Sequence, residues 1–70
     1  MTLADAQVGE EYIVKDVVTG DEEVDAFLFS LGCYSGELIT VVSRMKAGLV
    51  VSIKDGRYTF DHELAKMIEI

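Results

Sequence analysis

The sequence predicts a mainly β fold, a small, partly open antiparallel barrel of about five short strands with one helix inserted after the first. Three observations carry this. Short runs rich in β-branched and aromatic residues recur along the chain, bounded by Gly, Asp and Thr. One stretch only has helical periodicity, with Val24, Phe27, Leu28 and Leu31 at i, i+3, i+4 and i+7. A chain of 70 residues has little with which to cover open sheet edges, so closing the sheet on itself protects them best. A helix lying on an open sheet is the arrangement the periodicity equally allows.

The first strand is Glu11-Tyr12-Ile13-Val14-Lys15-Asp16-Val17-Val18, ending at the Thr19-Gly20-Asp21 turn. A helix from Glu22 to Leu31 follows. Its start carries Asp21, Glu22, Glu23 and Asp25, where carboxylates cap free N–H groups and meet the positive end of the helix dipole. Gly32 stands where a left-handed residue ends the helix, a conformation glycine adopts without a Cβ clash. Gly36 makes a second bend before a strand from Leu38 to Ser43. Strands from Leu49 to Lys54 and Arg57 to Phe60 come next, joined at Asp55-Gly56 as a two-residue hairpin turn requiring positive φ. Asp61 caps one helical turn through Ala65, and Met67-Ile68-Glu69-Ile70 returns as an edge or closing strand. The helix stripe is expected to cross one opening of the barrel, which places Phe27 in the core.

Residues 1–70 are expected to form one domain. At this size only about 60% of the unfolded surface is buried on folding, so stability is modest despite a 50% hydrophobic composition. The single cysteine excludes an intramolecular disulfide and a four-cysteine zinc site, and suits the cytosol. There is no basic region leading into an apolar core at the N-terminus and no apolar run long enough for a membrane span, so neither a signal peptide nor membrane insertion is expected. Six Lys and Arg against 13 Asp and Glu leave a net charge of −7, which disfavours nucleic acid and anionic lipid surfaces. The acidic helix start reads first as a solvated, capped face; its sharper reading is a patch that attracts a basic partner or weakly collects cations.

Chemistry-bearing residues are sparse. Asp61-His62-Glu63 holds metal-ligating types, but neighbours on a turn diverge and a metal needs converging ligands, so no metal site is expected. Cys33 follows a helix C-terminus, whose negative dipole end opposes thiolate formation. No serine lies in a glycine-flanked nucleophile elbow to pair with His62. Lys46-Ala47-Gly48 lacks the glycine-rich run of a phosphate loop. The chain reads as non-enzymatic, without catalytic residues or cofactor.

Contact residues are easier to nominate. Phe29 lies off the apolar stripe and Tyr34 lies on the glycine corner, and exposed aromatics mark contact surfaces. Phe29, Cys33, Tyr34 and Met45 form the candidate partner-binding patch. The competing reading has Phe29 covering a loop and Tyr34 packing on the barrel rim.

Leu28, Leu31, Gly32 and Gly36 also spell Leu-x-x-Leu-Gly followed by a glycine, preceded by Thr2-Leu3 through Val8-Gly9 and followed by Gly56-Arg57-Tyr58-Thr59-Phe60 and Glu63 to Ile70. In this order the chain resembles the FeoA family nearly end to end. It departs from the family pattern at Phe27, where many members carry arginine, and at Cys33-Tyr34 in a chain without proline. The resemblance implies an SH3-like barrel and a cytoplasmic accessory role in ferrous iron uptake. The implied partner is the membrane ferrous iron transporter, engaged at its cytoplasmic GTP-binding domain. The alternative role is a free-standing sensor or interaction module like the barrel attached to iron-dependent repressors.

Overall fold

A computed structural model describes all 70 residues, Met1–Ile70. After a 3₁₀ turn at Leu3–Asp5 the elements run β1 (Glu11–Ile13), β2 (Asp16–Val17), α1 (Glu22–Leu31), β3 (Leu38–Met45), β4 (Gly48–Ile53), β5 (Gly56–Asp61), α2 (His62–Lys66) and β6 (Ile68–Glu69). A four-stranded antiparallel sheet has the order β1-β3-β4-β5, and β2 pairs antiparallel with β6 in a second, two-stranded sheet. One apolar core serves both, as expected of a small barrel that is only partly closed.

The segment expected as one strand, Glu11 to Val18, is broken in two. Val14, only 1% exposed, is the corner. Its N–H donates to the Glu37 carbonyl at 2.9 Å and its own carbonyl accepts from the Gly36 N–H at 2.8 Å. One residue later the Lys15 N–H turns to the Glu69 carbonyl at 2.7 Å. The chain therefore leaves β3 for β6 at this point, and a strand that changes sheets is what bends the barrel shut.

The inner face alternates as a half-buried sheet should. Leu49, Val51 and Ile53 of β4 point into the core with Ile39 and Val41 of β3 and Phe60 of β5. A β-bulge at Val42 leaves that residue unpaired between Val41↔Val51 and Ser43↔Val50. The β4–β5 turn differs from the sequence expectation: Ile53 pairs with Gly56, so the two turn residues are Lys54 and Asp55, with positive φ at Lys54 (53°) and not at Gly56. A turn at Asp55-Gly56 would set Lys54 directly opposite Arg57. The observed register places Arg57 opposite Ser52 instead and avoids that like-charge pair.

Helix α1 begins as its acids indicate, with the Asp21 carboxylate accepting from the N–H groups of Glu23 (2.9 Å) and Val24 (3.4 Å). The expected apolar stripe needs one correction. Leu28 is fully buried, Val24 and Leu31 are half-buried, and Phe27 is 54% exposed, so Phe27 is not a core residue. It lies about 100° round the helix from Leu28, and a ten-residue helix on a curved barrel touches it along one narrow line. No helix is long and apolar enough to cross a membrane.

The N-terminal 3₁₀ turn carried no periodic signal. Leu3 is fully buried, and the Thr2 N–H donates to the Asp5 carboxylate at 3.1 Å. Arg44 clamps the turn from β3 by donating to the carbonyls of Ala4, at 2.7 Å, and Ala6.

Candidate partner-binding cleft

The way α1 ends decides where the candidate residues go. Gly32 takes the left-handed conformation (φ 94°) and its N–H donates to the Phe29 carbonyl, while the Cys33 N–H donates to the Leu28 carbonyl at 2.9 Å. These two bonds form a Schellman motif, whose partner residues Cys33 and Leu28 are both buried. Cys33 is thereby turned inward and Tyr34 outward. The turn is held against the Val14 corner through Gly36, so the end of α1 and the start of β2 lie side by side.

Between them opens a cleft of about 210 Å³, lined by Asp16 and Val17 of β2, Asp25 and Phe29 of α1, and Cys33, Tyr34 and Ser35 of the turn. Asp25 and Phe29 are one helical turn apart and share a face. Phe29, 65% exposed, stacks on Tyr34 with ring centroids 4.7 Å apart and planes at 28°. The Lys54 ammonium lies 6.0 Å from the Tyr34 centroid and pairs with Glu37 at 3.1 Å; this carboxylate, accepting a hydrogen bond and attracting the charge, holds the Lys54 pKa above its ordinary value. Cys33 forms part of the floor. Burial raises its thiol from 9.0 to about 11, the same direction as expected from its place after a helix C-terminus, with desolvation as the cause.

Of the four nominated contact residues, the cleft thus brings together Phe29, Cys33 and Tyr34. Met45 is exposed at the other end of the eight-residue β3, away from the glycine corner, and does not line it. Asp16 and Val17 line the cleft but were not nominated, because nothing local to β2 says that it lies beside the end of α1. Asp25 was legible only as a helix-start acid.

The Asp61-His62-Glu63 group disperses. Asp61 caps α2 by accepting from the Leu64 N–H at 2.8 Å, His62 Nε2 lies 3.2 Å from the Lys46 carbonyl, and Glu63 faces Lys66 at 3.4 Å. No three His, Cys, Asp or Glu side chains come together in a group that could hold a metal ion.

The fold is shared with solved proteins. Stenotrophomonas maltophilia FeoA, crystallised with zinc and described as a prokaryotic SH3 domain protein, is 22% identical, with 97% of this chain and 86% of that chain covered at a TM-score of 0.84. Iron(II) transport protein A from Clostridium thermocellum is 24% identical, with 99% of this chain and 43% of that chain covered at a TM-score of 0.88. A manganese-dependent transcriptional repressor is 20% identical, with 97% of this chain and 39% of that chain covered at a TM-score of 0.85. The chain therefore spans less than half the length of the last two, and these likenesses establish an SH3-like fold. Among curated proteins no match was found. The model of the FeoA domain, however, matches residues 1–70 from end to end, and the chain belongs to the FeoA domain family.

Proposed function

We propose that this chain is a non-enzymatic, cytoplasmic accessory module of ferrous iron uptake. In this reading it docks through the cleft beside α1 on the GTP-binding domain of a membrane ferrous iron transporter. The observation that carries the reading is the family match over residues 1–70. The cleft supports it, because a stacked aromatic pair in its lining offers contact area. The one cysteine is buried with a raised thiol pKa, and the one histidine, His62, lies outside the cleft, 3.2 Å from the Lys46 carbonyl.

A second reading, a free-standing interaction module of a metal-responsive regulator, is favoured by the overlay on the manganese-dependent repressor. With a net charge of −7 such a module would act on the regulator and not on DNA. Affinity capture of the tagged full chain from detergent-solubilised cells of its own source separates the two. Recovery of the transporter supports the first reading; recovery of a transcriptional regulator without the transporter replaces it with the second.

A further inference from the structure

The geometry points to the cleft between α1 and β2 as a receptor for a single arginine side chain of the partner, its stem and guanidinium plane lying along Phe29 and its charge facing Asp16 and Asp25. This deepens the docking reading above and rests on it for the identity of the partner, but not for the chemistry of the ligand.

Size comes first. Pockets for free small molecules usually span roughly 300–1,000 Å³. At about 210 Å³ this one is matched to one long side chain. Charge comes next. Two of the seven lining residues are carboxylates and none is cationic. Asp25 accepts one hydrogen bond from the Thr19 hydroxyl at 2.6 Å, and Asp16 one from the Val17 N–H at 2.8 Å. A carboxylate has about four acceptor positions, so both retain capacity toward the cleft. Neither belongs to either of the chain's two ion pairs, whereas Glu37 and Glu63 already have lysine partners.

Shape chooses between the two cations. Phe29, 65% exposed, presents the flat aromatic surface beside the carboxylates, whereas Tyr34 backs it by stacking and already has the Lys54 ammonium 6.0 Å from its centroid. A guanidinium stacks on such a surface and donates in its own plane to carboxylates at the same time, which a compact ammonium does not. The net charge of −7 brings a basic segment to this face but does not select arginine; the cleft does.

The test titrates the full chain, labelled with ¹⁵N, with the N-acetyl methylamides of arginine, citrulline and lysine. Citrulline keeps the shape of arginine and removes the charge. Expected are saturable shifts from the arginine amide, on the order of millimolar, centred on Asp16, Val17, Asp25, Phe29, Tyr34 and Ser35. The lysine amide should bind more weakly and the citrulline amide should give no saturable shifts. The Asp16→Asn, Asp25→Asn double variant keeps an acceptor oxygen at each position and hence both local hydrogen bonds; it should fold as the parent does and bind the arginine amide about tenfold more weakly. Equal response to citrulline, a lysine amide that binds as tightly, or shifts that follow all acids including Glu22 and Glu23 would each overturn the assignment. Failure of the unaltered chain to capture the transporter defeats the docking reading alone, because the amide titration uses no partner.

Discussion

The ring of Tyr34 stacks on that of Phe29 across the Schellman turn that ends α1, with centroids 4.7 Å apart. Two aromatics five residues apart, one on the last turn of a helix and one beyond its glycine, meet only because Gly32 reverses the chain between them. The pair is the most exposed organised apolar feature of the cleft. Its energetic worth to folding is small, about 1 kcal/mol for such a stack. In the proposed docking its worth would be larger, since aromatic anchors carry much of an interface's free energy. Replacing both, Phe29→Ser with Tyr34→Ser, should preserve the circular dichroism spectrum, lower the melting temperature by only several degrees, and abolish capture of the transporter. A folded double variant that captures it normally places the interface elsewhere.

Burial orders the helix substitutions. Leu28 is fully buried, Leu31 half-buried and Phe27 exposed. Leu28→Ala should cost about 2–5 kcal/mol, close to the whole stability of so small a domain. Leu31→Ala should cost less, and Phe27→Ser within about 0.5 kcal/mol of nothing. Urea unfolding of the three variants checks the order, and a Phe27 variant as damaged as Leu28→Ala would contradict this packing.

Gly48 is required for a steric reason. A Cβ there would strike the Phe60 carbonyl oxygen and lie 2.9 Å from the Asp61 Cα, both backbone atoms of β5. Gly48→Ala should therefore spread the β4–β5 ladder, costing about 1–3 kcal/mol or more. Gly56→Ala meets only the ring and hydroxyl of Tyr58, a side chain that can swing aside, and should be milder. Thermal melts of the two variants, measured side by side, decide this.

Cys33 makes stability fall in alkali. Its thiol is held at about 11 in the folded chain against 9.0 when unfolded, so between these values the folded state binds the extra proton. Its contribution is intact below pH 9 and is lost as the pH rises toward 11, to a total of about 2–3 kcal/mol. Urea titrations from pH 8 to 11 should show Cys33→Ala with a shallower decline than the parent. At neutral pH iodoacetamide should label Cys33 slowly unless the chain is unfolded.

The periodicity of Val24, Leu28 and Leu31, the acids at the start of α1, the glycine at its end and the β-branched runs are local signals, and local hydrogen bonding and side-chain alternation are enough to produce the elements they announce. The order of those elements, with Leu28, Leu31, Gly32 and Gly36 at their spacing, also sufficed for the family. Long-range pairing was needed for the rest. Val14 becomes a corner only because Glu37 and Gly36 supply its hydrogen bonds from across the barrel, and Phe27 leaves the core because the curved sheet touches one line of the helix. Arg44 clamps carbonyls some forty positions away in the chain. The cleft is of the same kind: Phe29, Cys33 and Tyr34 are near one another in sequence and could be nominated together, whereas Asp16 and Val17 reach them only when β2 closes against β6. Sequence by itself determined α1, the strand-forming segments, the family and the aromatic half of the candidate site, but not the break at Val14, the register of the β4–β5 turn or the N-terminal 3₁₀ turn. Asp25 stands one helical turn from Phe29 and is local to it, but Asp16 and the closure of the cleft were decided by the tertiary structure, since no local interaction brings β2 to the end of α1.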